Sequence, residues 1–352
     1  MKLSKLREEM NKRGMDAFLV TSAYNLRYIT GFTGTSGLAL ITRNDAWFVT
    51  DFRYTEQAGE QVKEFKVVQA QKGLIDEVAR IAQEAAVERI AFEQDYMTFA
   101  TYTVYQEKLA AALEPVSGVI ENLRMFKSHE EIEVLKAAAN IADDAFEHIC
   151  SWIKPGMTEL EVSNELEFYM RSQGAACSSF DIIVASGLRS ALPHGVASDK
   201  KIEQGDFITL DFGALYKGYI SDITRTIAIG EPSEKLKEIY QIVLDSQVLA
   251  LEKIKPGMTG IEADAIARDY IKSKGYGEAF GHSTGHGIGM EVHEAPGLSF
   301  RSETVLEPGM AVTVEPGIYL PGIGGVRIED DILITETGNE RLTHSSKELR
   351  IL

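Results

Sequence analysis

The 352-residue chain is short of several things, and each shortage removes a class of protein. Its two cysteines, Cys150 and Cys177, fall in no CxxC pattern. They cannot build a disulfide framework, and a reducing cytoplasm is the expected compartment. No run approaches the roughly 18 apolar residues that cross a bilayer. The opening MKLSKLREEMNKRGMDAFLV is broken by charges every few residues, so the apolar core of a signal peptide is not expected there. Basic residues are outnumbered, 36 Lys+Arg against 53 Asp+Glu, for a formal net charge of −17. Phosphate backbones and anionic lipids both demand cations, so neither nucleic acid nor a membrane surface is an expected partner. There is no HExxH, which excludes a zincin site. Gly285, Gly287 and Gly289 have neither the spacing nor the strand–helix setting of a dinucleotide loop.

What is present reads as an ordinary globular chain, 44% hydrophobic and 25% charged. Its length favours two domains, each able to bury a core. In the first 125 or so residues, short β-like runs (16–21, 38–42, 47–50 and 65–68) alternate with helical spacing at 74–86 and 102–113. This part reads as a small α/β domain, residues 1–125, in which the Gly- and Thr-rich stretch 25–37 is expected to be a loop. Ser128 followed by Glu131 is a capping-box pattern. It predicts a long helix to about Trp152 that opens a second domain, residues 126–352.

The second domain contains a duplication. IKPGMTELEVSNELEFYMRSQG (153–174) returns as IKPGMTGIEADAIARDYIKSKG (254–275), with the first six residues identical. Each copy reads as a Pro-Gly turn and a Thr cap leading into an amphipathic helix ended by glycine. The repeat continues downstream, where IEQGDFITLDFG (202–213) matches LEPGMAVTVEPG (306–317) and Asp211 faces Glu315. Each is followed by a further β-like run, 220–229 and 326–335. The expected unit is therefore a helix plus an antiparallel hairpin, made twice about a pseudo-twofold axis.

Alternation along these strands puts Thr209 and Asp211 on one face, and Asp222, Thr224 and Thr226 on one face of the partner. Hairpin pairing would set Asp211 and Asp222 side by side. In the second half Glu315 lies between Val314 and Pro316, and Glu329 shares a face with Arg327 and Asp331. Converging carboxylates repel, and oxygen ligands of this kind suit hard to borderline divalent cations such as Mn²⁺. Of seven histidines, His282, His286 and His293 fall within residues 281–296, and His194 follows a proline in ALPHG. His129, His148 and His344 read as surface or helix-face residues.

The motifs TLDFGALYKGYISDITRT, STGHGIG, EVHEAP, TVEPGIY and GVRIEDDILIT occur in this order in the chain. With the duplication, they resemble the pita-bread metallopeptidases, the family of Xaa-Pro dipeptidases, Xaa-Pro aminopeptidases and methionine aminopeptidases. The N-terminal domain, with its NLRYITGFTG segment, resembles the accessory domain of the proline-specific branch. The resemblance implies an α+β fold with a duplicated catalytic domain and an N-terminal α/β accessory domain. It also implies two divalent cations (Mn, with Co, Zn or Fe accepted by the same donors) and a homodimer.

Carried over by position, Asp211 would bind one metal, and His286 with Glu315 the other. Asp222 and Glu329 would bridge them. Glu315 or a nearby group would move the proton to the departing proline nitrogen. His194, His293 and Arg327 match pocket-lining positions, His293 also as an oxyanion stabiliser. The implied activity is hydrolysis between an N-terminal residue and proline, of a dipeptide or of a longer peptide. Methionine aminopeptidase fits less well because about 125 residues precede the catalytic domain. A creatine-hydrolysing relative or a binding module would be expected to lack ligands that are all present here.

Overall fold

The computed structural model describes residues 2–352, which divide into two compact units, the first ending at Arg124 and the second running from Met125 to Leu352. The first is a mixed six-stranded sheet flanked by helices. Its strands run in the order 66–69, 46–50, 38–42, 17–20, 89–93, 112–116. The central three pair antiparallel, and the outer strands join them in parallel. The amphipathic helix Leu74–Glu84 lays Ile75, Val78, Ile81 and Ala82 on the sheet.

Two expectations change in this unit. Residues 25–37 are not all loop: Ala23–Thr30 is a helix, capped by the Ser22 side chain and ended by left-handed Gly31. Its single buried face was obscured by the Gly/Thr-rich residues that follow. The helix expected at 102–113 runs instead from Phe99 to Lys108, and Ala112–Val116 is an edge strand. Pro115 is tolerated there because an edge strand leaves one row of N–H groups unpaired.

In the second unit the capping box opens the helix His129–Trp152 as expected. Ser128 Oγ accepts from the Glu131 N–H, and Glu131 returns a carboxylate to the Ser128 N–H at 2.7 Å. The duplication is physical. Thr158/Glu161 and Thr259/Glu262 form matching capping boxes for Glu159–Ser172 and Gly260–Ser273. The turn before each helix makes the same bonds, Gly156 N–H to Ile202 O and Gly257 N–H to Leu306 O, both 2.8 Å.

Each pair of helices packs on strands of its own half. Val162, Leu166 and Met170 lie against Val184, Leu210 and Ile223. Ala263 and Ala267 lie against Val312, Val314 and Ile332. The first half carries a three-stranded sheet, 223–228, 207–212, 183–186, and the second a five-stranded one, 294–298, 285–287, 311–314, 330–334, 339–341. The run 326–335 is thus not one strand. It divides into Gly324–Arg327, paired with Gly317–Leu320, and Asp330–Ile334, paired with Ala311–Val314.

Candidate metal centre

Register decides how the carboxylates meet. Asp211 lies directly opposite Thr224, not opposite Asp222 as the sequence suggested. The cause is the turn. Lys217 and Gly218 sit at the tip with φ of 48° and 88°, so Tyr216 faces Tyr219 and Leu215 faces Ile220. That two-residue turn sets the register for the whole ladder, and Asp222 falls two residues beyond Asp211 on the diagonal. In the second half Thr313 faces Asp331 and Val314 faces Asp330, so Glu315 and Glu329 emerge just past the paired stretch. Two bonds then join the halves: Glu329 N–H to Thr224 O at 3.1 Å, and Thr224 Oγ1 to Glu329 Oε2 at 2.6 Å.

His286 enters from the strand Gly285–Gly287, its N–H held by Thr313 Oγ1 at 3.1 Å. Its Nδ1 lies 3.0 Å from Gly287 O. A carbonyl only accepts, so Nδ1 carries the proton and Nε2 presents a lone pair. That lone pair faces Glu315 Oε1 at 3.4 Å and Asp222 Oδ2 at 3.8 Å. These gaps are too long for hydrogen bonds, so neither carboxyl satisfies the lone pair. One ligand atom each from Asp222, His286 and Glu329 lies within 4.8 Å of the others. Buried Asp211 Oδ1 and Asp222 Oδ1 have no hydrogen-bond partner. A hard cation is what this donor set fits, and it would give both of these orphaned carboxylate oxygens a partner.

The electrostatics agree. Burial, and then the charges of Glu329, Asp211, Asp331 and Glu315, push the Asp222 carboxyl well above the carboxylate range. Glu329 is raised likewise, by burial and then Glu315 and Asp211. Burial lifts Glu315 to about 8, partly offset by Arg327. Burial also lowers His286 to about 4, which keeps the ring neutral. Without a cation, these acids hold protons at neutral pH that a ligand role would displace.

Arg327 is buried among them, and its guanidinium is nearly saturated. Nε donates to Thr224 Oγ1 at 3.1 Å, Nη2 to Asp211 Oδ2 at 2.5 Å, and Nη1 to both Pro193 O (3.1 Å) and Tyr319 Oη (2.7 Å). Of five N–H donors, one is left. The chain of bonds continues from Tyr319 Oη to His282 Nε2 at 2.8 Å, while His282 Nδ1 faces Ser283 O at 2.8 Å. Sequence reasoning gave Tyr319 and His282 no role, although Tyr319 ends the TVEPGIY motif and His282 lies in the histidine-bearing stretch 281–296. Period two was the only signal for Asp331, whose carboxylate accepts the Asp222 N–H at 2.9 Å.

His293 and His194 are exposed at the margin. The His293 ring packs against His286 at 4.4 Å. His194 follows the Pro193 carbonyl that Arg327 holds. The three histidines given no role stand apart: His129 and His344 are exposed, and His148 bonds Glu165 at 2.6 Å and stacks on Tyr169.

Comparison with known proteins places this geometry. Residues 133–336 match metallopeptidase family M24, and residues 2–126 match the creatinase/prolidase N-terminal domain. The chain belongs to metallopeptidase family M24. Among M24 relatives, the Xaa-Pro dipeptidase of Pyrococcus furiosus is 44% identical over 99% of both chains. The structure of a Xaa-Pro dipeptidase from Bacillus anthracis matches with a TM-score of 0.99 and 62% identity, covering 100% of this chain and 99% of that one. An X-Pro aminopeptidase from Thermotoga maritima matches with a TM-score of 0.92 and 41% identity, covering 98% and 100%. The M24 family explains the pita-bread fold and the metal dependence of its chemistry. Among the described residues, no helix is long and apolar enough to cross a membrane.

Proposed function

We propose that this M24 peptidase is a Xaa-Pro dipeptidase, hydrolysing the bond between an N-terminal residue and proline, and that it works in the cytoplasm as a homodimer. Asp211, Asp222, His286, Glu315 and Glu329 would hold two divalent cations. Mn²⁺ is the favoured ion, since carboxylate and imidazole donors suit it, while Co²⁺, Zn²⁺ and Fe²⁺ accept the same set. The observation that carries the reading is the His286 Nε2 lone pair aimed at the Glu315 and Asp222 carboxyls across gaps too long for hydrogen bonds, beside the partnerless Asp211 Oδ1 and Asp222 Oδ1.

When bound, the cations polarise the scissile carbonyl and lower the pKa of water at the site. The chain supplies the rest. His293, packed on His286, donates to the carbonyl oxygen as charge develops there. Glu315, or a nearby group, takes the proton that the attacking water gives up and passes it to the departing proline nitrogen. A Xaa-Pro bond is a tertiary amide without N–H, so selection rests on ring shape and on contacts around the carbonyl. His194 supplies such a contact. Arg327 orients Asp211 and the His194 segment, and its one remaining N–H is its means of touching substrate.

Purified protein given Mn²⁺ should hydrolyse a Gly-Pro dipeptide faster than a Xaa-Pro-Xaa tripeptide, and a chelator should stop it. Faster cleavage of the tripeptide would instead make it an aminopeptidase, the second reading, which the likeness to the Thermotoga maritima structure favours. No cleavage of either would leave a peptide-binding module on the same fold.

A further inference from the structure

Glu159 is the first residue of the helix Glu159–Ser172, and it is fully buried. The helix does not need it as a cap, because Thr158 and Glu161 perform that task. Its carboxylate instead gathers donors from one segment of chain. Oε1 accepts from the Ser186 N–H and Oγ, both at 2.8 Å. Oε2 accepts from the Ser198 N–H at 3.0 Å and Oγ at 2.6 Å. Arg189 Nε reaches Oε2 at 3.0 Å, and its Nη2 donates to Val196 O at 2.7 Å. Ser186 and Ser198 are the two ends of the segment 187–197, which carries His194 at its exposed side. One buried carboxylate therefore fastens both ends of that segment, and Arg189 ties it across the middle.

The internal repeat serves as a control. The position matching Glu159 in the second copy is Gly260. Both copies make the same backbone bonds here. Glu159 N–H reaches Lys200 O (3.0 Å) and Leu160 N–H reaches Ser198 O (3.1 Å). Gly260 N–H reaches Thr304 O (3.0 Å) and Ile261 N–H reaches Ser302 O (2.9 Å). The fold thus forms this junction without a carboxylate. In the second copy the side chain's place is filled, since a Cβ on Gly260 would lie 2.2 Å from Gly297 O. Burying a carboxylate is costly unless its partners compensate, and the half that does so is the half that bears His194.

We propose that Glu159 is a positioning residue that holds His194 at the substrate side of the metal centre through the 187–197 segment. The proposal rests on the reading of His194 given above. Glu159→Gln keeps the size and one acceptor but removes the charge that Arg189 and four further donors share.

Hydrogen exchange and Gly-Pro kinetics should be measured on the parent, Glu159→Gln, His194→Ala and the double variant. The expected result is about tenfold faster amide exchange confined to 187–197, with bound Mn²⁺ unchanged. kcat/KM should fall about tenfold, and the double variant should be no worse than His194→Ala alone. Unchanged exchange, or losses that add in the double variant, would overturn the proposal. Should the parent cleave no Xaa-Pro peptide, the reading of function fails while the exchange comparison still decides whether Glu159 fastens the segment. If Glu159→Gln does not fold, Arg189→Leu takes its place, because that side chain is partly exposed, and the same exchange outcome decides.

Discussion

On the strand Asp330–Ile334 the first two residues point to opposite faces, and the two faces treat a buried carboxylate differently. Asp330 accepts from Arg225 Nη2 at 2.7 Å, Lys347 Nζ at 2.7 Å, Gln247 Nε2 at 2.9 Å and Thr343 Oγ1 at 3.0 Å. Burial opposes its ionisation, but Arg225 and Lys347 outweigh that and hold it below the usual carboxylate range. Asp331 accepts the Asp222 N–H, its Oδ1 has no partner, and burial drives it well above that range. Glu329 and Asp222, on the Asp331 side, are raised as well. Depth is the same on both sides. What differs is the cation: one face carries its own in Arg225 and Lys347, and the other is built for cations that come from solution.

Neutralising one acid on each face should give opposite results, and this is the largest effect expected. Glu329→Gln should lower kcat by more than about a hundredfold, beyond the usual cost of an outer contact to a metal site, and reduce bound metal. Yet the metal-free variant should unfold no more easily than its metal-free parent, because burial and the neighbouring acids already keep Glu329 neutral there and the amide replaces a neutral carboxyl of the same size. Asp330→Asn should keep the metal but lose about 3–5 kcal/mol, since it leaves Arg225 buried without its partner charge. Thermal unfolding and metal analysis of both proteins check this. Equal destabilisation of the two metal-free variants would break the contrast.

A second test uses pH. Glu315 titrates at about 8 in the metal-free fold against an ordinary 4.5, so the folded state binds the extra proton. Stability from this group is full below about 4.5 and is lost as pH rises through 8. His282 and His286 run the other way. Both are lowered to about 4 from 6.5, so their contribution is present above 6.5 and lost as pH falls towards 4. Between pH 6.5 and 8 only the carboxylates act. The metal-free protein should therefore lose stability across that window, by at most about 1.4 kcal/mol per pH unit for each proton released. Mn²⁺ should flatten the slope, because the cation takes the place of the protons. A metal-free profile that is level from 6.5 to 8 would mean that the acids are not held protonated.

The same contrast shows where sequence reading succeeds and stops. The duplication, the capping boxes and the alternation of Thr224 and Thr226 are local patterns, and the structure keeps them. The residue-by-residue pairing of Asp211 with Thr224 depends on left-handed Lys217 at a two-residue turn. Nothing in GALYKGY fixes that choice of tip by itself. The Arg225–Asp330 pair joins residues far apart in the chain, and Arg225 also donates to the carbonyls of Glu329, Ser345 and Ser346. No spacing rule reaches that far. His282 and Tyr319 meet only because Gly317–Leu320 folds back beside the Phe280–His282 turn, so their contact is a product of tertiary packing.

The smallest effect should come from Lys347, the lesser cation of the self-sufficient face. Its Nζ is shared between Asp330 Oδ2 and Gln247 Oε1, at 2.7 and 2.9 Å. Burial lowers its own pKa against the pull of Asp330. Lys347→Met keeps the apolar stem and removes the ammonium's bond to Asp330, with the weaker one to Gln247 Oε1, while Arg225, Gln247 and Thr343 still serve Asp330. The cost should be that of a single hydrogen bond to a charged group, about 1.5–3 kcal/mol, and less than that of Asp330→Asn. kcat on Gly-Pro and bound Mn²⁺ should stay within about twofold of the parent, because no ligand oxygen bonds to Lys347. Denaturant unfolding beside a metal titration separates the two quantities. A loss of metal here would mean that the faces of this strand share one electrostatic balance, since Asp330 would then have passed its uncompensated charge through the strand to Glu329 and Asp331.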